Sequence, residues 1–331
     1  MSYPLNPDIY NGDVKLEPIR AGFGRGLKAA GEANESIVAL CADLTDSTQM
    51  SLFKAAFPKR FVEIGVAEQN LVTVASGMAR AGKIPFTSSY AAFSPGRNWE
   101  QIRTTIALND MPVKIIGSHA GISVGPDGAT HQMLEDIALM RVLPNMVVIA
   151  PGDSIEAEKA TKAIAENGKP TYMRLARDKT PIFSTDESPF EIGKAYVLYE
   201  GHDVTLLGTG ALTAQLLLAA ALLKQMDIHA EVIHVPTIKP LDEETILKSV
   251  RKTGRVMTVE EAQIAGGFGG TIAELLGDKL PTPLRRIGML DRFGESGEPA
   301  ELMTYFKLDG VSIAEQAKQF ISDVPRYHQG F

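Results

Sequence analysis

The chain has 331 residues, 44% of them hydrophobic and 22% charged, with a formal net charge of −7. That length makes two domains the expectation and buries about three-quarters of the unfolded surface. The acidic balance argues against a nucleic-acid footprint, the single cysteine cannot make an internal disulfide or a thiolate metal site, and no apolar run is long enough to span a membrane.

In chain order, the pattern predicts a helix over "IRAGFGRGLKAAGEA", strands over "SIVALCADL" and "RFVEIG", and a helix opening at Glu68. Strand "IPFTSSY", helix "NWEQIRTTIALN" and strand "VKIIGSHA" follow, then a glycine-rich loop and helix "QMLEDIALMRVL". Strand "MVVIAPG", helix "SIEAEKATKAIAENG" and strand "TYMRLAR" complete this part. Such alternation predicts an α/β fold, a doubly wound and mostly parallel sheet with helices on both faces. The polar stretch "RDKTPIFSTDESPFEIG" predicts a linker. A second, shorter unit begins near Lys194, with strands "DVTLLGTG", "HAEVIHVPTI", "RVMTVEEA" and "LRRIGML", intervening helices and two final helices. The expected division is 1–186 for the first domain, 187–193 for the linker and 194–331 for a smaller mixed-sheet α/β domain. The N-terminal "MSYPLNPDIYNGDVKLEP" lacks a signal-peptide core, so a reduced cytoplasmic compartment is expected.

Ligands of open α/β sheets gather at the C-terminal ends of the strands. Asp43, Tyr90, His119 and Arg177 each follow a predicted strand, and Glu68 starts the helix after "RFVEIG". Glu68 stands where the chain enters a core. In a helix's first turn an acid is favoured by the macrodipole alone. The functional alternative is a desolvated acid with a raised pKa, able to donate a hydrogen bond at neutral pH. The loop "SHAGISVGPDGATHQ" carries His119, Asp127 and His131 between a strand and a helix, and loops of that length are often functional. No further ligand spacing supports a metal there. Phe86, Tyr90 and Phe93 suit a core, or a surface on which a flat ring stacks. "GGFGG" follows a strand and opens a helix, but its spacing is not G-x-G-x-x-G, so it predicts a tight turn and close helix packing.

In their order and spacing, "ADLTDST", "GVAEQN", "SSYAAF", "GSHAGISVGPDGATHQMLEDIALMRVLPN", "LARDKTP", "TIKPL" and "DRFGESGEPAEL" resemble the C-terminal two-thirds of transketolase, from about Glu17 to about Phe320. The resemblance implies a pyrimidine-binding domain for 1–186 and a transketolase C-terminal domain for 194–331. It implies that Glu68 hydrogen-bonds the pyrimidine ring of thiamine diphosphate and stabilises its imino tautomer. The cofactor then serves as electron sink while a two-carbon ketol unit passes from a ketose to an aldose. Tyr90 and Phe93 match aromatics of the aminopyrimidine pocket, with Tyr90 standing where phenylalanine is common, and Asp43 matches an acid near the cofactor. Asp127 and His131 match contacts to substrate hydroxyls, and Arg20, Ser47, His119 and Arg177 match the grip on the substrate phosphate. Glu68 and His131 are the expected catalytic residues. Trp99 is left without a role.

The family holds the cofactor diphosphate and its Mg²⁺ or Ca²⁺ through a GDG motif with a downstream asparagine, and no GDG occurs here. The resemblance therefore implies one subunit of a split transketolase. Its separate N-terminal partner would hold the metal, two plus two chains would form a heterotetramer, and sugar phosphates of pentose phosphate metabolism would be the substrates. The alternatives are the β subunit of a 2-oxo acid dehydrogenase, a 1-deoxyxylulose-phosphate synthase fragment, and a non-catalytic module of the same fold. "SHAGISVGPDGATHQ" and "DRFGESG" favour transketolase over the first two, and the joint presence of Glu68, Tyr90, Asp127, His131 and Arg177 argues against the third.

Overall fold

The computed structural model describes residues 3–325; the end of the expected second domain, 326–331, lies outside the described residues. Its strands are β1 (Leu16–Pro18), β2 (Ile37–Cys41), β3 (Phe61–Glu63), β4 (Ile84–Tyr90), β5 (Lys114–Ser118), β6 (Val147–Ile149) and β7 (Thr171–Arg174). They continue as β8 (Lys179–Pro181), β9 (Tyr196–Tyr199), β10 (Val204–Gly208), β11 (Ala230–His234), β12 (Thr237–Lys239), β13 (Val256–Gln263) and β14 (Leu284–Met289). A seven-stranded sheet has the order β12-β6-β7-β5-β4-β2-β3, parallel throughout except for β12 at its edge. A five-stranded sheet, β14-β13-β10-β11-β9, is parallel except for β9. This is the mixed α/β architecture that the alternating pattern predicts.

The residues of β2 show why both faces are covered. Ile37, Ala39 and Cys41 join one buried cluster with Phe23 and Leu27, while Val38 and Leu40 join another with Leu71, Val72 and Ile102. A strand buried on both sides must be apolar along its whole length. Each large side chain so buried contributes about 1.5–3 kcal/mol. The helix Ile19–Ala33 is rich in glycine because it crosses the helix Ser154–Glu166 closely; a Cβ on Gly22 would stand 1.7 Å from the Ser154 carbonyl oxygen.

Four elements differ from the sequence pattern. The run "HAEVIHVPTI" divides, so that β11 stays in the second sheet and β12 crosses to complete the first. The stretch expected as a linker is pinned: Asp153 accepts hydrogen bonds from the Phe183 and Ser184 N–H groups and from Ser184 Oγ, and β8 pairs with β1. The helix over "NWEQIRTTIALN" becomes a π-helix over Ile102–Ala107. Thr104 and Thr105 hydroxyls donate to the carbonyls four residues back and compete with the regular ladder. The helix expected from Gln132 starts only at Asp136, because Met133 and Leu134 are captured in extended bridges to Ala120, Gly121 and Gln263.

The two sheets share a core. Leu207, Ile233 and Val256 of the second belong to one buried cluster with Val38 and Ile115 of the first. Beside it, fully buried His234 bridges Glu156 and Thr213 at 2.7 Å on each ring nitrogen. Among the described residues no helix is long and apolar enough to cross a membrane.

Candidate functional site at the strand ends

Glu68 begins the helix Glu68–Arg80 and is only 4% exposed. Both its carboxylate oxygens lie 3.3–3.4 Å from Arg97 Nη1. The Arg97 guanidinium also sits over the Phe93 ring, 4.2 Å from its centroid. Buried Asn98 ties this turn to the helix start, donating from Nδ2 to the Glu68 carbonyl at 2.8 Å and to Ser94 Oγ at 3.1 Å. The charged end of Glu68 therefore faces a side chain that is half in solvent, while its backbone is fixed.

Four rings meet beside it. Tyr90, at the end of β4, stacks on His119 with centroids 3.9 Å apart and on Phe93 at 6.0 Å. His131 meets Phe93 edge-on at 5.4 Å and Tyr90 at 6.2 Å. His119 holds a left-handed backbone, φ 57°, directly after β5, which turns its ring back onto Tyr90. Its Nδ1 is 2.9 Å from Ser118 Oγ. Burial, with the nearby charges of Arg20, Arg177 and His131, drives its pKa down to about 3, so the imidazole is neutral at physiological pH.

Behind the rings, Arg20 donates to the Arg177 carbonyl, and Arg177 Nη1 donates to the Val124 carbonyl at 2.8 Å. Arg20 Nε is buried without a hydrogen-bond partner. Burial, then Arg177, pulls the Arg20 pKa below its usual value. The buried Arg20 Nε–H is thus left able to donate to an acceptor that the chain itself does not supply.

The structure thus brings Glu68, Tyr90, Phe93, His119, His131, Arg20 and Arg177 to one rim. Among the described residues no hydrogen bond or ring contact joins Asp43, Ser47 or Asp127 to that group: Asp43 and Asp127 are exposed and Ser47 is half-buried in the turn after β2. Glu63 shapes that turn, accepting from the Asp43 N–H at 2.7 Å, Thr45 Oγ1 at 3.0 Å and the Gly65 N–H at 3.0 Å. Trp99 is a strut, its Nε1 donating to the Leu139 carbonyl at 2.7 Å. Arg97, Asn98 and Glu63 were not among the sequence candidates. No spacing announces them, since each acts across a turn on a group fixed by tertiary packing. A separate cleft of about 1030 Å³ lies between Tyr3, edge strand β9 and Lys252 and contains none of these groups.

A desolvated carboxylate beside a stacked aromatic pair suits the aminopyrimidine end of thiamine diphosphate, provided that Arg97 turns aside from both. Among the described residues no group of three or more histidines, cysteines and acids is placed to hold a metal ion.

The transketolase pyrimidine-binding domain family matches residues 18–182, and the transketolase C-terminal domain family matches residues 193–313. A chain of Methanocaldococcus jannaschii, provisionally described as a transketolase C-terminal section, is 46% identical over 92% of this chain and 97% of its own length. The 6-deoxy-6-sulfo-D-fructose transketolase subunit of Clostridium sp. (strain MSTE9) is 40% identical over 93% of this chain and 96% of its own. Among solved structures, a split-gene transketolase in an inactive beta4 tetramer is 41% identical, with a TM-score of 0.86 over 92% of this chain and 98% of that one.

Proposed function

The chain belongs to the transketolase family, and on that premise we propose that it is the C-terminal subunit of a two-chain, thiamine-diphosphate-dependent transketolase that moves a ketol unit between sugar phosphates. The observation that carries the reading is the meeting of Glu68, the Tyr90–Phe93 pair and the Arg20–Arg177–His119 group on one strand-end rim.

Bound thiamine diphosphate would supply the electron sink for breaking a carbon–carbon bond. Glu68 would hold a proton at its buried carboxyl and offer it as a hydrogen bond to the pyrimidine end of the bound cofactor, and its burial would keep water from competing. Tyr90 and Phe93 would supply the aromatic walls of its aminopyrimidine pocket. Arg97 lies over Phe93 and reaches Glu68, so it must turn aside for a ring to take both contacts. His131 and Asp127 contact sugar hydroxyls. Arg20, Arg177, neutral His119 and Ser47 receive the phosphate, which positions the reacting carbons without touching them. Asp43, in the turn after β2, would lie near the bound cofactor. The diphosphate and its Mg²⁺ or Ca²⁺ fall to an N-terminal subunit, in a heterotetramer of two plus two chains in the cytoplasm. Support for a partner comes from relatives of matching length described as sections or subunits of transketolases. The division at 1–186 and 194–331 belongs to the same reading.

The test is reconstitution with an N-terminal transketolase subunit, thiamine diphosphate and Mg²⁺. Transfer from a ketose phosphate to an aldose phosphate is the expected result. Decarboxylation of a 2-oxo acid without ketol transfer would instead indicate a dehydrogenase β subunit.

A further inference from the structure

The loop between β5 and the helix Asp136–Arg141 carries exposed Asp127 and half-buried His131, whose ring packs on Phe93, and it also rests on the second half of the chain. Ser123 N–H donates to Glu261 Oε2 at 3.1 Å. Gln132, 3% exposed, donates from Nε2 to the carbonyls of Ile122 at 3.2 Å and Gly125 at 3.4 Å within the loop, and of Glu295 at 2.9 Å outside it. Gln263 N–H donates to the Leu134 carbonyl at 2.9 Å. Ile122 and Leu134 share a small apolar cluster with Met289 and Leu302.

The loop's glycines show how close the fit is. Gly121, Gly125 and Gly128 have φ of 89°, 78° and 71°. A Cβ on Gly121 would stand 2.4 Å from Glu261 Cδ, and one on Gly128 would stand 2.3 Å from Ser296 Oγ. Both obstacles belong to the second half of the chain. Glu261 is itself fixed from the first sheet: Arg174 donates to its carbonyl at 3.0 Å and lies 3.7 Å from its carboxylate, while Asp136 takes Arg174 Nε at 2.9 Å. The motif "DRFGESGEPAEL", Asp291 to Leu302, thus finds its place as the segment that closes over the loop.

We infer that the C-terminal domain is the template of the sugar-contacting loop, with Glu261 and Gln132 as positioning residues that hold Asp127 and His131 in place. The role assigned to those two residues rests on the proposed function; the template itself does not. A loop with three left-handed glycines has many backbone conformations open to it. Contacts from a second sheet select one, and a sugar then binds a surface that is already formed. Asp127 has no side-chain bond of its own holding it, so its place depends on this backbone.

The experiment uses the full chain reconstituted with its N-terminal partner, thiamine diphosphate and Mg²⁺. Gln132→Leu keeps the bulk and removes the three donated bonds. Glu261→Ala removes the Ser123 acceptor and Glu261→Gln restores an oxygen for it. Hydrogen exchange of the amides in 119–131 should quicken in the first two variants while the rest of the chain stays protected. KM for both sugars should rise roughly tenfold with kcat within about threefold, and Glu261→Gln should recover most of the loss. Thiamine diphosphate affinity should not move. Unchanged exchange in the loop, exchange quickened throughout the chain, or an unmoved KM would each overturn the inference. If the wild-type assembly transfers no ketol unit, the proposed function fails on its own, and loop exchange alone upholds or overturns the template.

Discussion

Glu68 was legible in the sequence as an acid entering a core, but its surroundings were not. Arg97 follows Phe93 by four residues in an irregular turn, where no periodicity forecasts that its guanidinium will cover the ring and reach the acid. Glu68→Gln keeps the size of the side chain and the helix start, so the fold should persist. Turnover of the reconstituted enzyme should fall roughly a hundredfold or more, the scale of a lost proton-transfer group. Normal kcat in that variant would leave Glu68 a helix-start residue. On the proposed function, Arg177 makes a sharper test because a grip on phosphate is separable from the chemistry. Arg177→Ala should lose about 1.5–3 kcal/mol in kcat/KM for a phosphorylated donor, as expected for a charged hydrogen bond. A donor without phosphate should lose far less at the same salt concentration. Equal losses would assign Arg177 to the Val124 carbonyl alone. His119 should stay neutral between pH 5 and 8, because its pKa is driven down to about 3. Its ring resonances should not titrate in that window; a midpoint near 6.5 would show that the arginines and burial do not act on it.

At the level of elements, the signals are firm where one helix or strand buries its own apolar face, as with "IPFTSSY" for Ile84–Tyr90 and "SIEAEKATKAIAENG" for Ser154–Glu166. They mislead where partners from far along the chain decide. The run from Gln132 has helical spacing, yet its first turn is held extended by Gly121 and Gln263. The "GGFGG" segment makes a helix start capped by a distant acid: Glu260 accepts the N–H groups of Phe268 at 2.6 Å and Gly269 at 2.8 Å. Burial of Glu260 outweighs those two bonds and raises its pKa to about 7. Between pH 4.5 and 7 the folded chain therefore keeps a proton that the unfolded chain releases. Stability from this group is fully present below pH 4.5 and is lost as pH rises through 7, by about 3 kcal/mol. Glu260→Gln mimics the protonated acid. Its unfolding temperature relative to wild type should be higher at pH 8 than at pH 5. The same difference at both pH values would show that Glu260 is not protonated in the folded chain near neutrality.

For the molecule as a whole, the alternating pattern and the motif order made both the sheets and the family legible. The shared core was hidden, because residues such as Val38 and Leu207 meet only after both sheets have formed. On the proposed function, the isolated chain offers the ring end of the cofactor a seat and the charged end none. Calorimetry of this chain alone with thiamine diphosphate and Mg²⁺ should show weak or no binding, because the diphosphate's charge-assisted contacts lie on the partner. Tight stoichiometric binding by the single chain would overturn the two-chain reading.

The crossing of β12 into the first sheet also sets an order of events during synthesis. β6 is complete by residue 149, but the strand that pairs with its open edge ends at Lys239. Until that residue has left the ribosome, the nascent first domain presents an unpaired edge, the usual template for joining another chain. A ribosome moving at about 5–20 residues per second leaves it in that state for several seconds. Slow translation before Lys239 has emerged would lengthen this exposure, while slow translation once it has emerged would leave an edge already closed.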